Sequence, residues 1–256
     1  MNSTRVARPA AAPPGTAPAA AWRGFYVALV LVLIGMVGLG FRPYYAAVAR
    51  GAAEAHWLIH LHALVFSGWL LLLLAQVVLA FRRRVALHRR LGRFGIAYGG
   101  VLAAFGLVVA FLAPALSVSS GRDTLDEAAA FLLLPLGDML LFIAFFVAAV
   151  AWRHRPELHK RLMVLAAVVL VYPAVARFAH AAGPLVVLLA WLLPLVAAMA
   201  QDYATRRRVA PVYLFGLAVL VAGFGRLWLM DSEAWLAVGR PMLRWALPLV
   251  AGTQAG

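Results

Sequence analysis

Seven stretches of roughly 20 apolar residues, parted by short polar turns, constrain this chain more than anything else in it. At about 1.5 Å of rise per residue, each is long enough to cross about 30 Å of hydrocarbon. They lie at about 23–41, 57–81, 93–116, 130–152, 161–180, 184–203 and 211–230. Each must be helical, because an open strand in lipid would leave its backbone groups unpaired. The fold class is therefore all-α: a polytopic membrane helix bundle of seven transmembrane helices.

Composition agrees. The 256 residues are 65% hydrophobic and only 12% charged, where a soluble domain carries about 25% charged residues. The absence of cysteine removes disulfides, iron–sulfur clusters, thiolate metal sites and covalent CxxCH haem attachment. Any metal or haem would have to be held by His, Met, Tyr or carboxylate. There is no P-loop, no G-x-S-x-G and no H-E-x-x-H, and enzyme status stays open. A retinal Schiff base is excluded as well, since the sole lysine, Lys160, falls in a polar turn.

Three parts follow. Residues 1–21, with the run PAAAPPGTAPAAA, read as a disordered Pro/Ala tail ahead of an uncleaved first helix. Residues 22–230 form the seven-helix domain. Residues 231–256, containing WLAVGRPMLRWALPLV, suit a short interfacial helix better than an eighth span.

The net charge of +14 is not spread evenly. The tail and the turns after helices 2, 4 and 6 carry 16 Arg or Lys against Glu157 and Asp202. The opposite side carries five arginines against six acids. The positive-inside rule then predicts an N-inside, C-outside protein of the bacterial cytoplasmic (inner) membrane. Basic residues confined to such turns point to anionic lipid headgroups as partners, and not to nucleic acid.

The turns also repeat. FRRRVALHRRL (81–91) and WRHRPELHKRL (152–162) share six of eleven residues, and RRRVA occurs at 82–86 and again at 206–210. Helices 2–3, 4–5 and 6–7 thus read as three hairpins of one type, although Arg-rich turns also arise from the orientation rule alone. His88 and His159 occupy matching positions, where they can bind headgroups and cap the next helix. A site for an anionic substrate is the other reading of that pair. GIAYGG (95–100) offers a G-x-x-x-G for close helix contact.

Polar residues within the spans gather toward the acidic side: Arg42, His56, His60, His62, Asp138, Tyr172, Arg177, His180 and Arg226. A carboxylate such as Asp138 costs about 2.5–3.5 kcal/mol inside a membrane, so it should be paired, with Arg177 or Arg226 in reach, or protonated. On helix 2, His62, Trp69 and Gln76 form one stripe that should face the bundle, while His56, His60 and Ser67 share another face.

H-x-H…W…Q followed by LHRRLGRFG, then LHKRLM…ARF and DYATRRRVAP, resembles bacterial multi-spanning membrane protein families of unknown function. The likeness covers helices 2 to 7. More loosely, the chain is similar to haem-carrying membrane proteins of the cytochrome b561 type. That likeness implies haem b held by His60 or His62 with His180, and Arg42, Arg177 and Arg226 would then meet its propionates.

Three functions fit these residues. One is a redox protein with a haem, or a metal held by His56, His60 and Asp138. Another is a small-solute or proton-coupled transporter using Asp138, Tyr172 and Gln76. The last is a non-catalytic assembly subunit, as a homo-oligomer or within a membrane complex.

Overall fold

A computed structural model describes residues 19–52 and 57–250, with side chains from residue 24 onward. The expectation for the tail before residue 19 and those for His56 and residues 251–256 lie outside the described residues. Within them the chain is helical, with no strand. The helices are α1 (Ala19–Ala49), α2 (Trp57–Phe81), α3 (Val85–Ser119), α4 (Leu125–Ala151), α5 (Pro156–Ala179), α6 (Pro184–Arg206), α7 (Pro211–Phe224) and α8 (Glu233–Val250). Short 3-10 turns follow α5 and α7, at His180–Ala182 and Gly225–Trp228.

Seven of these helices are long and apolar enough to cross a membrane. Successive spans alternate in direction, so one end of the bundle gathers the turns 82–84, 152–155 and 207–210. The other gathers 50–52, 120–124 and 180–183 with the 229–232 segment. The first is called the arginine-rich end and the second the acidic end.

Several helices outrun their apolar segments. α3 begins at Val85, eight residues before the apolar segment at 93, and α4 begins at Leu125. The start of α4 is set by a capping box: Glu127 N donates to Thr124 Oγ1 at 3.2 Å, and Thr124 N donates to Glu127 Oε2 at 2.8 Å. Two orphan helix donors are satisfied reciprocally this way.

α5 is the hub, packed against α1, α4, α6 and α7. Its run Val164–Val169 is buried without interruption, enclosed by those neighbouring helices. Close approach depends on missing side chains. A Cβ on Gly40 of α1 would collide with the backbone of Ala174 on α5, and one on Gly99 of α3 would enter the Phe146 ring of α4. The G-x-x-x-G of residues 95–99 therefore acts through Gly99, whereas a Cβ on Gly95 would stand 3.6 Å from Leu72.

The repeated pentapeptide has a structural counterpart. Its middle arginine adopts a left-handed backbone in both copies, φ 57° at Arg83 and 55° at Arg207. These are the sole non-glycine residues with positive φ among those described. The histidine-bearing turns match too. His88 Nδ1 lies 3.3 Å from the carbonyl oxygen of Gln76, and His159 Nδ1 lies 2.8 Å from that of Ala149, so each ring closes back on the preceding helix.

α8 is amphipathic. Leu236, Gly239, Leu243, Ala246 and Val250 are buried at spacings of three and four, packed across the acidic-end portions of α3 and α4. Trp235 Nε1 donates to the Ala129 carbonyl at 2.8 Å, and Arg240 grips both carboxylate oxygens of Asp126 at 2.7 and 2.9 Å. Asp126, with Glu233 behind it, pushes the Arg240 guanidinium above its ordinary pKa.

Candidate functional site

Polar residues expected at one place separate into two. Near the middle of α4, Asp138 accepts a hydrogen bond from Arg226 Nη2, and both are buried. The Arg226 guanidinium stands 5.4 Å from the centre of the Tyr172 ring. Tyr172 meets Trp191 and Phe224 edge-on. Two glycines make the room: a Cβ on Gly137 would lie 3.2 Å from Arg226 Nη1 and one on Gly223 3.8 Å from it. Three sequence candidates thus come together, and Arg226 rather than Arg177 is the partner of Asp138.

Other candidates are engaged elsewhere. Arg177 is exposed, 4.6 Å from the centre of the Phe41 ring, and its Nη1 donates to the Pro173 carbonyl. His180 is exposed, with Nδ1 3.0 Å from the Arg177 carbonyl oxygen. His60 is exposed beside Tyr45, and Arg42 is exposed. His62 stacks on Phe66 at 4.1 Å, its buried Nδ1 without a hydrogen-bond partner. The His62, Trp69 and Gln76 stripe does face the bundle, while His60 and Ser67 are exposed. Each of the three histidines proposed for haem therefore has its own local setting. Among the described residues no group of three His, Asp or Glu could hold a metal.

Gln76 belongs to neither neighbourhood at the acidic end. It sits near the arginine-rich end of α2, in the wall of a cavity of about 500 Å³. This cavity is the feature the sequence did not disclose. Six helices, α1 to α6, contribute to its walls. Its inner part is apolar, with Leu33, Leu73, Trp69 and Phe146. Its mouth is polar and opens beside Phe81, Thr205 and Arg206, which are exposed. His88 and His159 both line it, so the two repeated turns supply one histidine each to a single site.

The mouth is also ordered by charge. Arg161 Nε donates to Asp202 at 3.0 Å in a buried pair, and the Ala210 N–H donates to the same carboxylate at 3.1 Å. Glu157 joins Lys160, Arg161 and Arg206. In the third turn, which lacks the histidine, Asp202 does the closing instead: it ties the end of α6 to the start of α7. Three cations face two carboxylates here, which leaves the mouth net positive.

Toward the acidic end the cavity is sealed. Trp69 packs edge-on against Phe142 and Phe146, which stack at 5.4 Å. The Asp138–Arg226 pair lies outside the cavity wall.

The chain matches no family model, no curated protein and no solved structure.

Proposed function

We propose that this integral membrane protein is a carrier for an amphiphilic small molecule, held in the cavity at the arginine-rich end. The observation that carries the reading is the cavity itself, with apolar walls, a polar cationic mouth and a closed inner end. Its size lies within the about 300–1,000 Å³ usual for small-molecule sites. Its gradient from charge to hydrocarbon suits a ligand with one polar end. Trp69 supplies a further reason. It is 3% exposed and lines the cavity, yet its indole Nε1 has no hydrogen-bond partner. Buried donors are rarely left unpaired, and a bound molecule with an acceptor would satisfy this one.

A cavity open at one end and sealed by aromatic rings at the other is the arrangement a carrier needs in one of its two states. The Asp138–Arg226 pair, beyond the seal, lies where a second access path would have to open. The haem and metal readings gain nothing from His60, His62 and His180, whose local partners do not gather them around a common group.

Extraction and mass spectrometry of protein purified from native membranes test the proposal. A co-purifying amphiphile should be present with the unaltered chain and depleted in Gly95→Leu, which places a bulky side chain in the cavity wall. The same molecules in the same amount from both would overturn it.

A further inference from the structure

The chemistry of the mouth goes further and selects a head group; this step rests on the cavity reading above. The two histidines are held in different states. His159 Nδ1 lies 2.8 Å from the Ala149 carbonyl oxygen, a group that can only accept, so the proton sits on Nδ1. In the neutral ring Nε2 is then a bare acceptor. His88 faces Gln76. With the Gln76 amide oxygen accepting from Gly92 N–H at 2.8 Å, the amide nitrogen donates to His88 Nδ1 at 2.6 Å. That orientation satisfies both ends of the amide, and its short contact outweighs the 3.3 Å approach of His88 Nδ1 to the Gln76 backbone carbonyl. His88 Nδ1 is therefore an acceptor, and its proton sits on Nε2.

One cavity thus carries an imidazole donor on α3 and an imidazole acceptor on α5, with an unpaired indole donor deeper in. A donor and an acceptor lining one cavity complement a group that itself has one acceptor and one acidic proton. A carboxylic acid is such a group. An alcohol offers both functions on one atom, and an ester lacks the proton.

We infer that the cavity takes a carboxylic acid with a hydrocarbon tail. The carbonyl oxygen accepts from His88 Nε2–H. The hydroxyl proton passes to His159 Nε2: the acid O–H bond breaks, the N–H bond forms, and a carboxylate remains beside an imidazolium. No other bond changes. Lys160 and Arg206, which also line the cavity, share the single carboxylate Glu157 and so leave positive charge around the head, and Asp202 is held by Arg161 and the Ala210 N–H. From Lys160 to Ala167 the wall runs seven residues, about 10 Å of helix. A medium-length chain therefore reaches the level of Trp69, seven residues from Gln76 on α2.

Trp69 makes the test direct. The full chain in neutral detergent is titrated with a medium-chain ω-bromo carboxylic acid and with the matching ω-bromo alcohol. Quenching is read as the difference between the unaltered protein and Trp69→Phe, which isolates the one indole in the cavity. The acid should quench at about tenfold lower concentration than the alcohol. His159→Gln should abolish that preference while leaving alcohol binding in place, and His88→Gln should weaken it. Equal quenching by acid and alcohol in the unaltered protein overturns the acid head while the cavity reading stands. Absence of quenching by either compound overturns both. The comparison of two ligands on the unaltered chain decides the question even where a variant fails to fold.

Discussion

At the scale of single residues, most polar groups inside the bundle have a local partner, and the buried exceptions, Trp69 Nε1 and His62 Nδ1 among them, stand out against that pattern. Trp191 Nε1 donates to the Val168 carbonyl at 2.7 Å, Tyr98 Oη to that of Val65 at 2.9 Å, and Trp235 Nε1 to that of Ala129. Aromatic donors thereby tie neighbouring helices through backbone oxygens, which have no water to turn to. Asp138 and Arg226 obey the same logic with charge. Removing one member of a buried pair leaves the other charge uncompensated, at about 3–5 kcal/mol. Arg226→Leu should therefore lower the thermal midpoint of the detergent-solubilised protein sharply, and Asp138→Asn in the same chain should restore part of the loss. No restoration would mean that Arg226 stabilises the bundle through Tyr172 instead. Arg83 and Arg207 carry an opposite signature, since a left-handed backbone costs a side-chain-bearing residue about 1–2 kcal/mol. Arg83→Gly and Arg207→Gly should each raise stability, by about 0.5–1 kcal/mol after glycine's extra unfolded entropy is counted. A fall in the thermal midpoint would show that these side chains hold the turns by contacts stronger than the strain.

At the scale of helices, contact depends on where side chains are absent and on how ends are closed. Gly40→Val would push α1 off the α5 backbone at Ala174. A loss of about 1–3 kcal/mol is expected, as for other overpacked interiors. Gly38→Val, with nothing within 4 Å of its Cβ position, should be nearly silent. Similar losses from both would place the effect in the helix's own propensity. Thr124→Ala removes the cap of α4 and should cost about 1 kcal/mol by the same thermal assay. Much at this scale was legible beforehand. The span Trp57–Phe81 coincides with its apolar segment, because hydropathy marks where lipid begins. Helix ends were less visible, since α3 and α4 continue through polar residues outside the hydrocarbon. The cavity was not legible at all. His88 and Gln76 are twelve residues apart and His159 lies far along the chain, and only packing of six helices makes them neighbours. The one sequence signal was the pair of matching L-H-[RK]-R-L turns. It pointed to the right residues and could not say that they face a common space.

The whole molecule is polarised, with arginines at one end and carboxylates in the loops of the other. The chain lacks cysteine, so single cysteines can report which end faces which compartment. If the positive-inside rule governs, an impermeant maleimide should label Ser120→Cys in intact cells and should reach Arg153→Cys only after lysis. The reverse pattern would invert the assignment. The hairpin arrangement also bears on how such a chain is made. In α2–α3, α4–α5 and α6–α7 the arginines sit in the closed turn, so, where the positive-inside rule governs, each pair of helices can enter the bilayer together with its charges left at the face of synthesis. The short connections at 120–124 and 180–183 are then carried through between hairpins, with the α1–α2 connection before them and the α8 segment after them. Biogenesis would be a series of small translocations, each completed before the next hairpin leaves the ribosome.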